Sequence, residues 1–440
     1  MNLARPLIVT STLLFVVGSL RAADRWPEWR GANGQGHADA TDLPLRWSET
    51  ENVAWKTEIP GRGWSTPVVD QGQVWLTTAV DKPASAADAE RRRKTSTNSQ
   101  PLTVSDSASH RAVGVDLRTG KLLHNIEVLS QREPQMIHVE NSYATPSPIL
   151  ENGRLYCHYG PSGIGCLDIE SGRVLWTNRS LRVKHENGPG SSPVLWNNLL
   201  IVHCDGIDQQ YIVALDKRTG KQVWKTTRSG ELRGDPQLRK SYATALVARV
   251  NGQPQVISPA ADWVYGYEPT SGRELWRLNY GLLGFSNSAR PIVGNGLIFT
   301  ITGYLKSQML AIRVAENADT PEPHVVWRYT KQVPNVASPL LIGNEIYFVS
   351  DQGIASCIDA RTGESHWTAR IGKQFWASPL YADGRIYFFD RNGTTTVVAP
   401  DTSFTKLAVN ELDGELLASA AAIDGALLLR IDRTLYCIRR

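Results

Sequence analysis

The stretch that decides the fold begins Gly188-Pro-Gly-Ser-Ser-Pro-Val-Leu-Trp-Asn-Asn198 and, after an apolar run at residues 199–202, ends Ile212-Val-Ala-Leu-Asp-Lys-Arg-Thr-Gly-Lys-Gln-Val-Trp224. Short, half-apolar runs of this kind are typical of β-strands. Turns are predicted between them, the clearest at Gly220, because glycine adopts a positive φ without steric cost. With residues 222–225 as the last strand, the stretch predicts one four-stranded antiparallel unit.

The same frame recurs along the whole chain. A proline preceded by Ser-x or Ser, with Gly or Asn five residues beyond it, is found at Pro67, Pro148, Pro193, Pro339 and Pro379, and Pro291 has the same spacing to a glycine after Ser288-Ala-Arg. Two degenerate copies carry alanine in the proline position, Ala245 and Ala420. The intervals are close to the length of a four-stranded blade, except for a longer first one. Eight copies therefore predict an all-β, eight-bladed β-propeller.

A second repeated element follows the proline frame, as in Asp216-x-x-Thr-Gly-Lys-x-x-Trp224. The carboxylate can accept backbone N–H groups across the turn, and the indole buries a large apolar area while keeping one N–H to donate. We therefore interpret these tryptophans as structural contacts between neighbouring blades. They are Trp176, Trp224, Trp276, Trp327 and Trp367.

The N-terminal region is predicted to lie outside the propeller. Residues 1–23 have the pattern of a signal peptide, because Arg5 precedes an apolar run over residues 7–20 that is too short for a relaxed membrane span, and small residues follow it. No cysteine stands at the expected cleavage position, so we expect neither a lipid anchor nor a membrane span. The protein is predicted to be exported, periplasmic or secreted. Residues 24–52 are predicted to form an extended arm packed on the disc.

The propeller is predicted over residues 53–440. Residues 53–58 have the pattern of a fourth strand without its three partners, whereas residues 416–438 supply three strands and lack the fourth. The two ends are therefore predicted to complete one blade and to close the ring. Closure removes the sheet edges that would otherwise be exposed to other chains.

The long first interval marks an insertion in the first blade at residues 79–111. This segment is rich in Ser, Thr and Asn and offers little apolar surface to bury, which is typical of flexible chain. We therefore expect a mobile loop. Its basic run, Arg91-Arg-Arg-Lys94, is interpreted as a solvated face, and the alternative is that it steers an anionic partner.

Composition and motifs exclude several classes of function. A formal net charge of +4 over 440 residues does not indicate nucleic-acid binding. The chain has no Gly-x-Ser-x-Gly, His-Glu-x-x-His or Cys-x-x-Cys motif, so we predict no catalytic residue and no metal site. Among the five cysteines, Cys157 and Cys166 lie symmetrically about residues 160–163. A simple hairpin would set them opposite each other, which makes this pair a candidate disulfide.

These repeated elements carry a family resemblance. The Ser-x-Pro frame, the Asp/Asn-Gly hairpin and the Leu-Asp-x-x-Thr-Gly-Lys-x-x-Trp element resemble the PQQ-like, quinoprotein-type β-propeller repeat family over most of residues 53–438. The resemblance implies two kinds of function. One branch comprises dehydrogenases that hold pyrroloquinoline quinone (PQQ) and calcium, and the other includes non-enzymatic scaffolds of outer-membrane barrel assembly. The dehydrogenase branch typically has an adjacent pair of cysteines, which this sequence lacks.

The segments just before each proline frame are the candidate binding region. They are predicted to open at one mouth of the central channel, since the first strand of each blade lines the axis. Their amides, aromatics and few charges suit a polar ligand or a peptide, and the alternative is that they only satisfy backbone groups around the mouth. The predicted binding residues are Arg62, Trp64, Asn141, Tyr143, His185, Glu186, Asn187, Tyr242, Asn287, Arg290, Asn335, Gln374 and Trp376.

The sequence therefore favours a monomeric, exported, non-catalytic propeller that binds a protein, peptide or glycan partner at the channel mouth, and no cofactor is predicted for it. The alternative is an oxidoreductase of alcohols or sugars that depends on PQQ and calcium. The missing cysteine pair and the absence of a recognisable calcium motif favour the first function.

Overall fold

The computed structural model describes residues 24–315 and 322–440. Its regular structure is almost entirely β and forms eight four-stranded antiparallel sheets, each of them one blade of a propeller. The predicted fold is therefore confirmed. The predicted signal peptide at residues 1–23 lies outside the described residues and stays a prediction.

The blades are numbered along the chain, and the strands of each blade are given in order from the channel axis outward. Blade 1 contains Val68–Asp70, Gln73–Pro83, Ser105–Asp116 and Leu122–Arg132, and blade 2 contains Ile149–Glu151, Arg154–His158, Ile164–Asp168 and Val174–Asn178. Blade 3 contains Val194–Trp196, Leu199–Asp205, Gln210–Asp216 and Gln222–Thr227, and blade 4 contains Leu246–Val250, Gln253–Ala260, Trp263–Tyr267 and Glu274–Asn279. Blade 5 contains Ile292–Gly294, Leu297–Ile301, Met309–Val314 and Pro323–Tyr329, and blade 6 contains Leu340–Ile342, Glu345–Val349, Ile354–Asp359 and Ser365–Arg370. Blade 7 contains Leu380–Ala382, Arg385–Phe389, Thr394–Val398 and Lys406–Glu411, and blade 8 contains Ala421–Ile423, Ala426–Ile431, Thr434–Ile438 and Val53–Glu58.

Little regular structure lies outside the blades. There are short 3₁₀ turns at Gly160–Ser162 and Pro236–Arg239, a helix at Ala86–Arg93, and two short ladders that pair Leu102–Thr103 with Ile137–His138 and Gly284–Phe285 with Tyr304–Leu305. Within the two described ranges, no helix has the length and apolar character needed to cross a membrane.

Burial of the strands follows their position in the disc. The second strand of blade 3, Leu199–Asp205, is buried along its whole length because neighbouring blades cover both of its faces. The outer strand Val53–Glu58 alternates between half-buried and exposed residues, as a strand with one packed face should. The apolar runs recognised in the sequence are therefore the middle strands of each blade.

Blade 8 joins the two ends of the chain. Val53–Glu58 pairs antiparallel with Thr434–Ile438, and Trp55 lies opposite Cys437. The predicted closure of the ring by N- and C-terminal strands is confirmed. A hydrophobic cluster that includes Trp26, Leu428 and Val74 connects this blade to the N-terminal arm and to blade 1.

The tryptophans of the outer strands connect neighbouring blades. The indole N–H of Trp176 donates to the carbonyl of Lys217 in the next blade at 3.1 Å, and that of Trp224 donates to Pro269 at 3.1 Å. Trp55, Trp327 and Trp367 make the same contact. Each of these donors reaches a turn of the next blade, so the interpretation as inter-blade contacts holds for them. Trp276 differs, because its indole N–H donates to the Gln255 side chain of its own blade, although its ring packs in a cluster with Ile298 of blade 5.

The insertion in blade 1 differs from the mobile loop that we expected. Gln73–Pro83 and Ser105–Asp116 extend the blade by continued pairing, and Ala86–Arg93 forms a helix with Ser85 as its N-cap. Backbone pairing needs no apolar side chains, so a polar composition does not prevent it. Within the basic run, Arg91 pairs with Asp88 and Lys94 with Glu90, which partly neutralises it.

The candidate disulfide between Cys157 and Cys166 is wrong. Cys157 lies opposite Gly165, and Cys166 lies opposite Tyr156, so the register is offset by one residue. Because successive strand residues point to opposite faces, the two thiols enter different core clusters. The 3₁₀ turn at Gly160–Ser162 causes the offset, and both cysteines are free and buried.

The N-terminal arm lies across the end of the channel that is opposite the predicted mouth. Trp26 exchanges backbone hydrogen bonds with Val69 in blade 1, and the carbonyl of Pro27 accepts from Leu150 in blade 2. Farther along, Ala38 donates to Tyr381 in blade 7. By bonding to inner strands of several blades, the arm closes this end of the channel.

Candidate functional site

Hydroxyl groups connect the blades around the channel. The residue before the proline position is Ser or Thr in every blade except blade 5. Its hydroxyl accepts the backbone N–H of the equivalent residue in the preceding blade: Thr66 donates to Ser147 at 2.9 Å, and Ser147 donates to Ser192 at 2.9 Å. Contacts of this kind cross six blade boundaries, with acceptors Ser147, Ser192, Thr244, Ser338, Ser378 and Ser419.

Blade 5 carries Arg290 in the hydroxyl position. Its guanidinium donates to the carbonyl of Ala245 at 3.0 Å, to the carbonyl of Trp29 at 2.8 Å and to the carboxylate of Glu28 at 3.2 Å. The Trp29 indole in turn donates to Ser419 at 3.4 Å. The arm and Arg290 together form a floor below the hydroxyl groups.

Above this floor the channel widens into a funnel of about 660 Å³. The funnel combines indole and phenyl rings with side-chain amides and hydroxyls, a mixture suited to stacking and hydrogen bonding. Its aromatic lining residues are Trp29, Trp64, His138, Tyr242, Phe285, Tyr304 and Trp376. Its amide-bearing lining residues are Asn98, Gln100, Asn141, Asn187 and Gln237.

The two predicted mouth tryptophans belong to one connected cluster. The Trp64 indole donates to the carbonyl of Glu140 at 3.0 Å, and the Glu140 carboxylate accepts from Arg391 at 2.9 Å. Arg391 also lies over the Trp376 ring, 4.5 Å from its centroid, and Arg62 lies 5.0 Å from that of Trp64. Both indoles line the funnel while a cation covers one face of each.

The structure divides the predicted binding residues into three groups. Five line the funnel: Trp64, Asn141, Asn187, Tyr242 and Trp376. Four lie at or near the surface outside its lining: Arg62, Glu186, Asn335 and Gln374. Four are buried behind the wall or in the floor: Tyr143, His185, Asn287 and Arg290.

The buried group has structural roles. The Asn287 amide donates to the carbonyl of Thr302 at 3.1 Å, and the His185 ring packs against Tyr242 with 5.4 Å between ring centroids. Burial lowers the pKa of His185 to about 3, so the ring is neutral at ordinary pH. For these residues the alternative interpretation, support of the mouth rather than ligand contact, describes the geometry.

The insertion of blade 1 contributes part of the funnel wall. The Asn98 amide donates to the carbonyl of Glu186 at 3.1 Å, and Gln237 donates to the Glu186 carboxylate at 2.7 Å. Thr97 donates to the same carboxylate at 3.4 Å. Glu186 therefore holds the insertion against the loop that precedes blade 4.

Among the described residues that line the funnel, Lys240 is the one lysine or arginine. Burial lowers the pKa of this lysine to about 8, although the carboxylates of Glu186 and Asp235 act in the opposite direction. The lining also holds two carboxylates, Glu140 and Asp235. The funnel is therefore close to neutral and has one cation at a defined place.

Sequence reasoning missed several lining residues. Trp29 belongs to the arm, Lys240 to the loop before blade 4, and Phe285 and Tyr304 to a short ladder outside the repeat. The hydroxyl acceptors had a detectable signal, because Ser or Thr precedes seven of the eight proline positions. The missed lining residues occur at positions that have no counterpart in the other blades.

The residues of the funnel do not fit PQQ and calcium. PQQ is an acidic quinone with several carboxylates, whereas Lys240 is the one lysine or arginine in the described lining. Arg391 already pairs with Glu140 and Glu415. Calcium needs several converging oxygen ligands, and no group of three or more His, Cys, Asp or Glu is placed to hold a metal within residues 24–315 and 322–440.

Comparison with known proteins confirms the family resemblance. The PQQ-type repeat family described as outer membrane protein assembly factor BamB matches residues 43–226 and 260–421. Outer membrane protein assembly factor BamB of Moranella endobia is 20% identical over 273 residues, which are 60% of this chain and 66% of that protein. BamB of Alteromonas naphthalenivorans is 22% identical over 250 residues, 53% of this chain and 57% of that protein. The chain thus spans less than two thirds of the length of both relatives.

Solved structures share the fold. BamB from Moraxella catarrhalis superposes with a TM-score of 0.52 and 13% identity, covering 83% of this chain and 99% of that one. A europium-containing methanol dehydrogenase superposes with a TM-score of 0.59 and 10% identity, covering 92% of this chain and 89% of that one. At these identities the likeness concerns the propeller alone.

Proposed function

This chain belongs to the family of the outer membrane protein assembly factor BamB, and from that premise we propose that it is an exported, non-catalytic propeller scaffold that binds a partner at its funnel. The partner is a protein, a peptide or a glycan of the cell envelope. The names of its relatives, outer membrane protein assembly factors, support a role in the envelope.

The observation that carries the proposal is the lining of the funnel. A space of about 660 Å³ with a closed floor presents Trp64, Trp376 and Tyr242 beside amides and hydroxyls. Aromatic rings with amide neighbours supply stacking surface and directional hydrogen bonds, which is what recognition requires. Among the described residues, the lining has one lysine or arginine for an acidic quinone, and no group of three or more His, Cys, Asp or Glu is placed to hold a metal, which supports binding over redox catalysis.

The test uses the purified chain without residues 1–23. The protein is immobilised, exposed to peptide arrays, glycan arrays and an envelope extract of the source organism, and compared with Trp64→Ala and Trp376→Ala. Trp196→Ala is the matched control, since this half-buried tryptophan ends the inner strand of blade 3, away from the mouth. We expect binding that both mouth variants weaken and the control retains.

A parallel assay addresses the oxidoreductase alternative. The same protein is incubated with PQQ and Ca²⁺, and dye reduction is followed with alcohols and sugars. A stoichiometric quinone spectrum with turnover would contradict the proposal. Binding that is unaffected by both Trp64→Ala and Trp376→Ala would also contradict it, because the partner would then occupy another surface.

A further inference from the structure

Lys240 is a buried cation with too few partners. Only 2% of its surface is exposed, and its ammonium donates to Oε1 of Gln237 at 2.6 Å. An ammonium has more donors than this hydrogen bond uses, and within the described chain no carboxylate lies close enough to Lys240 to form an ion pair. Because a buried charge is unfavourable unless it is paired, this site favours an anion from outside the chain.

Ser286 adds a second polar group to the same wall. Its backbone N–H donates to the carbonyl of Lys240 at 2.7 Å, which sets the two residues side by side. The residue is 6% exposed and lines the funnel, and its hydroxyl has no hydrogen-bond partner among the described residues. Both residues line the funnel, so an oxygen anion that enters it finds an unpaired hydroxyl and an under-paired ammonium in the same wall.

An apolar surface begins where this wall reaches the rim. Phe285 pairs with Tyr304 across the short ladder, and both line the funnel. Leu305 follows Tyr304 with 59% of its surface exposed and a φ of 104°, and Leu282 is 72% exposed. A leucine in this backbone region is strained, and such strain is concentrated at binding and switch sites. Together with the Phe285–Tyr304 pair, these exposed aliphatic groups supply apolar surface near the rim that a ligand can cover.

The shape of the funnel limits how a ligand enters. The floor of Trp29 and Arg290 closes the far end, so a chain cannot pass through the channel, and the free end of a chain suits this shape. Resting on the proposed function, we propose that the funnel binds the carboxyl end of a polypeptide, with the terminal carboxylate on the Lys240 ammonium and an apolar side chain against Phe285, Tyr304 and Leu305. The exposed leucines favour a polypeptide over an acidic sugar, because an apolar side chain covers aliphatic surface that a sugar would leave wet.

The test compares two forms of one peptide. Labelled short peptides that end in Leu-Phe are made with a free carboxylate and with a terminal amide, and both are titrated against the wild-type protein. The amide removes the charge and keeps the side chains. We expect the free-acid form to bind about ten-fold more tightly, because amidation removes the charge-assisted hydrogen bond between the terminal carboxylate and the ammonium.

Lys240→Gln should remove this difference, so that both peptides bind at the weaker level. Lys306→Gln is the matched control, because Lys306 is an exposed lysine next to the same ladder, and it should keep the ten-fold preference. In the wild type the preference should disappear as the pH rises above about 8, where Lys240 loses its proton. The amide comparison in the wild type remains decisive even if Lys240→Gln folds poorly.

Three results would overturn the inference: equal binding of acid and amide, no binding of either peptide, or a preference that survives Lys240→Gln. Binding of a uronic-acid oligosaccharide that depends on Lys240, without peptide binding, would overturn the polypeptide source and keep the carboxylate site. If the envelope partner still binds in a manner that depends on Trp64 and Trp376 while acid and amide do not differ, this inference fails and the proposed function stands.

Discussion

Two sets of tryptophans in this molecule have the same side chain and different surroundings. At the blade joints, the Trp176 indole donates to the next blade and packs against Gly220, where an added Cβ would overlap the ring. At the mouth, the Trp64 indole donates to the carbonyl of Glu140 in the segment that precedes blade 2, while the ring lines the funnel. A hydrogen bond to a carbonyl is therefore common to both sets and does not distinguish them.

The two sets differ in what contacts the indole ring. A joint indole covers a turn glycine of the next blade, so its apolar area is used in folding. A mouth indole keeps part of its area toward the funnel, where a cation rather than another blade packs on it. The comparison predicts loss of stability for the first set and loss of binding for the second.

The most severe change removes a joint together with its strand. Deletion of Val53–Glu58 takes away Trp55 and every pairing partner of Thr434–Ile438 on that side. An open sheet edge results, so the protein should unfold or aggregate. Thermal melting and size-exclusion chromatography of the truncated and the full mature protein measure this, and equal melting temperatures would contradict the role of the shared blade.

Trp224→Ala tests a single joint. The indole is buried and donates to Pro269 at 3.1 Å, so truncation leaves a cavity and an unpaired carbonyl. We expect a loss of about 3–5 kcal/mol in the free energy of unfolding. Urea titration gives this value, and a loss below about 1 kcal/mol would show that the joint is not a stabilising contact.

Trp64→Ala and Trp376→Ala should show the opposite behaviour. Binding of the envelope partner should weaken by roughly 2 kcal/mol, the size of an interface hot spot, while the free energy of unfolding changes by less than about 1 kcal/mol. Isothermal titration and urea unfolding of the same samples measure the two quantities. If these variants unfolded as readily as Trp224→Ala, both sets of tryptophans would be structural.

A pair of glycines gives the finest test of the joint. Gly153 and Gly220 have φ values of 74° and 70°, but an added Cβ meets no atom within 4 Å at Gly153 and overlaps the Trp176 ring at Gly220. Alanine at either site should cost about 1–2 kcal/mol for the backbone conformation. Gly220→Ala should exceed Gly153→Ala by at least about 1 kcal/mol because of the overlap. Equal losses would show that the indole can move aside.

The repeated elements were predictable because each unit obeys the same local chemistry. Counterparts of Pro193 and Trp224 recur in the same order in successive units, so the blades, their order and the closure at Val53–Glu58 followed from the sequence. The pairing of Cys157 with Cys166 was predicted wrongly, because the 3₁₀ turn between their strands shifts the register by one residue relative to a simple hairpin. Local spacing determines an element, while register depends on turn geometry.

The site was less predictable for a related reason. Trp64 and Trp376 were found because they lie just before the proline frame, and Arg290 was misplaced because it stands in the hydroxyl position itself and reaches the floor. Lys240 and Tyr304 come from segments that have no counterpart in the other blades. A repeat pattern contains no information about such residues.

The hydroxyl contacts around the channel have a consequence for recognition. Each of these N–H groups donates in the same rotational sense across six blade boundaries, from Thr66 to Ser147 onward, and Arg290 offers no hydroxyl to accept from blade 4. Eight near-equivalent blades would present a ligand with eight equivalent orientations. The substitution at Arg290 breaks this pseudo-symmetry, so one blade differs from the others. An asymmetric partner can therefore be held in a single orientation about the channel axis.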